Sequence, residues 1–309
     1  MIDLIMRTVE QGIAFGLLAM GVYITFRILD FPDLTVEGSF PLGASITAKL
    51  IIIGTNPFLA TLLAFIIGGM SGIITGLINT KLKIAGLLAS ILTMTSLYSI
   101  NLRIMGKSNI SLLREPTVIK VMKGFIERIG LNPTYVSLFS FIFIVFIVKL
   151  LLDYFLYTEK GMSLRATGNN PVMIESLGVN TDVAKITGLA IANGLVALSG
   201  SLIAQYQGFT DVGMGIGMIV IGLASVIIGE VVIRSSKIPL ATLGVIVGAI
   251  IYRLAIALAL RLGFAPTDLK IVTAVLVILS LGAPTLRKFM IQDEFAEHLM
   301  ERGASDAED

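Results

Sequence analysis

Asp33, Glu37, Asp211 and Glu230 are carboxylates set among apolar residues, in a chain with one histidine and no cysteine. A carboxylate in a low-dielectric region is costly unless it is paired or hydrogen-bonded, so each needs a reason to be there. Two reasons compete. In one, Phe31, Asp33, Glu37, Phe209 and Asp211 line a pathway or gate. In the other, Asp33 or Thr35 caps one helix and Asp211 another. Catalysis is poorly served. The lone His298 lies in a polar tail, and the lack of cysteine excludes disulfides, thiolate metal sites and thiol nucleophiles. No nucleophile can be matched to a base. Gly106-Lys107-Ser108 ends like a phosphate loop, but the glycine required five residues earlier is Asn101.

The elements that must position these groups are membrane helices. Of 309 residues 55% are hydrophobic and 14% charged, with a mean hydropathy of +0.92, against about 25% charged in an ordinary soluble domain. Apolar runs of about 18 residues or more, enough to cross about 30 Å of hydrocarbon, recur along the chain. The reading is an all-α polytopic membrane protein with nine spans, near 4–26, 38–54, 57–79, 84–101, 134–157, 184–207, 214–233, 238–260 and 267–286. Residues 1–286 form the transmembrane domain and 287–309 a polar cytoplasmic tail. Part of the 102–133 connection, residues 116–129, suits a surface amphipathic helix. The net charge of +2 gives no reason to expect a nucleic acid partner.

An internal repeat appears at an offset of 178 residues: IAFGLLA at 13–19 matches IANGLVA at 191–197, and Phe31 and Asp33 align with Phe209 and Asp211. The first repeat covers about 4–101, a connector 102–183, and the second repeat about 184–286. Its two leading spans are an odd number of crossings apart, so the four-helix repeat is inverted. Inverted repeats recur in transporters, with the pathway at their interface. This places residues 27–37 towards the inside and 208–213 outside. Positive charge in the short loops supports that orientation, while the basic 102–133 loop opposes it.

The stretch GMSLRATGNNPVMIESLGVN, 161–180, interrupts the apolar pattern. Asn170 suits an N-cap, Pro171 the first helical position and Gly178 the position after the C-cap. Seven residues between them make about 10 Å of helix, too short to span a membrane but suited to a rigid surface knob. Its apolar residues beside polar flanks suit presentation to a partner.

The pattern G-x-x-x-R-A-x-G-x-N-P, followed by L-G-V-N and a small-residue helix, resembles the cytoplasmic coupling loop of ATP-binding-cassette importer permeases. The likeness is to the branched-chain amino acid, ribose and nucleoside permease superfamily. DFPDLTVEGSFPLGA (30–44) and KLKIAGLLASILTMTSLYSINLRIMGK (81–107) resemble its tryptophan/tyrosine-type subfamily. The resemblance implies an importer of a small organic solute, an amino acid and, by the subfamily, an aromatic one, working as a homodimer. Its implied partners are two copies of an ATPase subunit, which bind ATP and Mg while this chain holds no cofactor or metal, and an extracytoplasmic substrate-binding lipoprotein. Arg165, Gly168, Asn169, Asn170, Pro171, Met173, Glu175, Leu177 and Gly178 would couple to the ATPase. Arg103, Lys107 and Arg114 would dock the binding protein, or else belong to an ordinary solvated loop. The rival reading is an ion-coupled secondary transporter using Asp33, Asp211 and Glu230.

Overall fold

The computed structural model describes residues 2–128, 136–235 and 237–265, with isolated positions between 268 and 278. Eleven helices fall in this part: α1 Ile2–Val22, α2 Val36–Ile52, α3 Pro57–Thr80, α4 Gly86–Met105, α5 Val118–Arg128, α6 Val136–Tyr157, α7 Glu159–Asn169, α8 Pro171–Ser176, α9 Thr181–Gln207, α10 Met218–Val232 and α11 Ile238–Arg261. Two short strands, β1 Asn109–Ser111 and β2 Phe209–Asp211, pair antiparallel. Seven helical stretches are long and apolar enough to cross a bilayer. An eighth expected crossing, α2, has only 17 residues but is buried along nearly all its length. The ninth expected span and the tail, His298 included, lie almost wholly outside the described residues.

α9 is the central post. Its Gly188, Ala192, Gly194, Ala197, Ser199 and Gly200 are all buried, and small side chains let neighbouring backbones come close. A Cβ added at Gly72 of α3 would sit 2.0 Å from the Leu189 carbonyl oxygen, and one at Gly68 only 2.2 Å from Ala197 Cβ. The glycine stripe of α3 is therefore a packing device, as its four-residue spacing suggests. α1 is the second post, packed against α9, α10 and α11. A Cβ on its Gly12 would meet Ile250 Cα of α11 at 2.8 Å, and one on Gly16 the Ile246 side chain at 3.3 Å. The 178-residue offset carries Gly68 to Ile246, Gly72 to Ile250, Gly12 to Ala190 and Gly16 to Gly194. The α3–α9 and α1–α11 crossings thus use equivalent positions, with the small residue moved to the other partner. α2 likewise packs on α9 and α3 where α10 packs on α1 and α11.

Five crossings, α1 to α4 and α6, precede α9, so α1 and α9 run in opposite directions. The 27 residues of α9 extend about 40 Å. They separate one face of the molecule, carrying α7 and α8, from the opposite face, carrying β1 and β2. Each post ends in a break. α1 continues into a π-helical turn, Tyr23–Ile28, and leaves helical geometry until α2 begins. α9 stops at Gly208 (φ +79°), and β2, a 3-10 turn Val212–Gly215 and Gly217 follow before α10.

Candidate functional site

The face carrying α7 and α8 is built from the stretch that the sequence singles out. Asn170 Oδ1 accepts from the Met173 N–H at 3.0 Å, and Pro171 takes the first helical position. Leu177 is the C-cap and Gly178 follows at φ +84°, in the left-handed region where a side chain would be strained. The helix is one residue shorter than expected. Val172 is 76% exposed, Met173 57% and Leu177 67%, so the knob shows its apolar side outward. Glu175 accepts from Thr181 Oγ1 at 2.5 Å, tying the knob to the first turn of α9.

The sequence reading did not foresee that 159–169 is itself a helix. Thr158 caps α7, accepting from the Gly161 N–H at 3.3 Å. Gly168 is pressed onto the π-helical turn: a Cβ there would stand 1.9 Å from the Ile28 carbonyl oxygen. Arg165 and Asn169 are exposed and, with Tyr23, Arg27, Asp30 and Glu230, line an open cleft between α7, the π turn and α10. Arg27 Nε meets Glu230 Oε1 at 2.7 Å across that cleft. Gly168 thus joins α7 to the end of α1 by a contact too close to admit a side chain.

The residues expected to line a gate are only partly brought together: Glu37 reaches the second break, while Phe31 and Asp33 lie apart from it. Phe31 is buried, packed on Gly86 at the start of α4. Asp33 is fully buried. It accepts from the Thr35 N–H at 2.9 Å and from Asn193 Nδ2 at 2.7 Å, while Asn193 Oδ1 accepts from Ser39 at 2.8 Å. That network pins the first break to the middle of α9 and satisfies a carboxylate that would otherwise be very costly. Asp211 is half-buried at the opposite face, where it accepts from the Gly213 N–H at 2.7 Å, and Phe209 beside it is exposed. Asp33 and Asp211 thus make the same two-residue turn at repeat-related positions. As caps they differ from expectation. Thr35 occupies the N-cap of α2 but makes no capping bond, its hydroxyl bonding Thr75 at 2.8 Å instead. Asp211 caps the 3-10 turn rather than α10.

Glu37, half-exposed on the first turn of α2, reaches the second break: its Oε1 accepts from the Gly217 N–H at 2.9 Å. Asp33, Asp211 and Glu230 occupy three separate places, and among the described residues no three acidic or histidine side chains gather as they would around an ion. The ion-coupled reading therefore has no common site in this part of the chain. Arg103, Lys107 and Arg114 are all exposed on the face of β1, whose Ile110 pairs with Thr210 of β2. This pairing was missed because three-residue strands leave almost no periodic signal.

A bundle of membrane helices with two central posts, paired breaks and a short exposed helix on one face is the membrane domain of a transporter. The sequence profile described as "Branched-chain amino acid transport system / permease component" matches residues 4–281, and the chain belongs to that family. It is 45% identical over 282 residues to the tyrosine transport system permease protein of Clostridioides difficile (strain R20291), covering 91% of this chain and 92% of that one. It is 34% identical to an uncharacterised protein of Rickettsia prowazekii (strain Madrid E), covering 91% and 98%. The ribose import permease of Haemophilus influenzae is 24% identical, over 81% and 75%. Among solved structures, the inward-facing conformation of a metal-chelate type ABC transporter aligns with a TM-score of 0.50 at 15% identity, covering 93% of this chain and 85% of that one. That last likeness supports the fold alone. The protein is a multi-pass inner-membrane permease of the ABC transporter class, a class that works with an ATPase and a substrate-binding protein.

Proposed function

We propose that this chain is the membrane-spanning subunit of an ATP-driven amino acid importer, with tyrosine or a related aromatic amino acid as cargo. It acts as a homodimer with two ATPase copies, which hold the ATP and Mg, and receives cargo from an extracytoplasmic binding lipoprotein. The cargo reading draws on the 45% identity to the tyrosine permease. The coupling reading draws on one observation above the rest: α8 is capped at both ends yet buries none of its residues. A short, rigid helix with Val172, Met173 and Leu177 outward has the form of an anchor awaiting a pocket. Closing motion of the ATPases on this anchor would pass through α7 and Gly168 to the end of α1.

Met173→Asp with Leu177→Asp tests this. Apolar anchors contribute on the order of 2 kcal/mol each, so losing both weakens association roughly a thousandfold. The ATPase subunit should then fail to co-purify, while the permease itself stays monodisperse because both side chains are exposed. Undiminished co-purification would reject α8 as the coupling element.

A further inference from the structure

A small cavity of about 270 Å³ opens where α2, α4 and the second break meet, lined by Glu37, Met94, Thr95, Tyr98 and Asn101 among others. Its polar groups have an unusual bias. When ionised Glu37 can accept but not donate, and the Gly217 N–H occupies just one of its oxygens in the observed hydrogen bonds. Asn101 is fully buried, and its Oδ1 has no hydrogen-bond partner among the described residues. The amide orientation is fixed, because its Nδ2 donates to the Gly38 carbonyl oxygen at 3.1 Å and that oxygen can only accept. A buried acceptor without a donor costs about 1–3 kcal/mol, so such an atom calls for a donor beyond the protein's own groups, a water or a ligand. Tyr98 and Thr95 stand exposed at the mouth, the tyrosine offering a ring face to a cation. Thr95 turns its own hydroxyl back to Ile91 and Leu92 and therefore competes for nothing in the cavity.

We propose that this cavity is a transit site for the primary ammonium group of the cargo, which bonds the Glu37 carboxylate and the orphan Asn101 carbonyl as it passes. An ammonium offers three donors, enough for both acceptors and a water. The site lies on the face of α4 that carries Thr95, Ser96, Tyr98 and Ser99 outward, hydroxyl-bearing residues set among the exposed Leu88, Leu92 and Leu102. The half-exposed Glu37 carboxylate beside that face would be costly against lipid, so it looks into water or a second copy. The choice of an amino acid as cargo rests on the proposed function; the cation preference of the cavity does not.

The chain has no cysteine, so Thr95→Cys places one thiol at the cavity mouth. Purified in nanodiscs, this variant should react about tenfold faster with a trimethylammonium methanethiosulfonate than with the sulfonate reagent, after normalising to each reagent's rate with free thiol. Adding Glu37→Gln, which can still accept from Gly217, should bring that ratio close to one. Equal rates in the single variant, or a ratio unmoved by Glu37→Gln, would overturn the site. Should the double variant fail to fold, protection decides instead. Tyramine should slow labelling of Thr95→Cys, and 3-(4-hydroxyphenyl)propionate, which lacks the ammonium, should not. Equal protection by both, or by neither, counts against it. None of these readouts needs an ATPase, so failure here is separate from failure of the importer reading.

Discussion

The two breaks that follow α1 and α9 occupy equivalent places in the repeat but are used differently. Both contain an aspartate accepting from the N–H two residues on, Asp33 from Thr35 at 2.9 Å and Asp211 from Gly213 at 2.7 Å. The local backbone solution is shared. Around it, the first break is locked inside the bundle by Asn193 and Ser39, and its leading edge is pressed by α7 at Gly168. The second break lies at the opposite face, held by two backbone devices: pairing with β1, and close approach to α2. A Cβ at Gly215 would meet the Glu37 carbonyl oxygen at 1.9 Å. The turn itself is common to both breaks, and the difference lies in what packs around it: side chains of α9 and α2 at the first, backbone at the second. Inverted repeats with interrupted helices let the two ends do different work around one axis.

The sharpest way to break the comparison is to ask which face each break looks out on. Asp30 and Phe209 are both exposed, whereas Thr210 is fully buried and a poor reporter. In intact cells, Phe209→Cys should label fully with a membrane-impermeant maleimide, and Asp30→Cys only after permeabilisation. Labelling of both from outside, or the reverse pattern, would dismiss the inverted arrangement.

Stability gives the next largest effect. Asp33→Ala removes the acceptor for two donors in a fully buried network, and each orphaned donor costs about 1–3 kcal/mol. Asp211→Ala removes one half-exposed turn bond, at about 0.5–2 kcal/mol, the usual range for a lost cap. Thermal unfolding in detergent should therefore fall clearly further for Asp33→Ala. Equal losses would mean that burial does not distinguish the two turns.

Much of this difference was legible in the sequence, but not all. Eight of the nine spans, the α3 glycine stripe, the capped α8 and the alignment of Asp33 with Asp211 follow from hydropathy, spacing and the offset, all of which are local or periodic properties. What escaped was what two distant segments do to each other. Nothing in Asn193 announces that it will bond Asp33, 160 residues away, and three-residue strands such as β1 and β2 carry no readable period. The π-helical turn was hidden for a related reason: its residues are ordinary helix formers, and the wider winding shows only in the structure. Arg253 was a signal left unread. A charge inside an apolar run needs a partner, and it has two on α1: Nη2 donates to Gln11 at 2.8 Å and the guanidinium lies 4.2 Å from the Phe15 ring centroid.

The smallest expected effect concerns the face of the second break. Arg103, Lys107 and Arg114 are exposed there, flanking the strand that pairs with β2. If this face receives a binding protein, as the permease reading requires, the three cations meet acidic groups on its lobes. Such charges chiefly steer encounter and fix register. Exposed pairs contribute at most about 1 kcal/mol each, so single changes should barely register. Reversing all three to Glu should slow capture of the binding protein by about tenfold at low ionic strength. The deficit should shrink in 0.5 M salt, where the screening length falls to about 4 Å. Stopped-flow association at the two salt concentrations measures this directly. Rates equal to wild type at both would make the loop a solvated surface and move the dock elsewhere on this face. A deficit that persists undiminished in high salt would point instead to damage at β1, because loss of a strand contact is not screened.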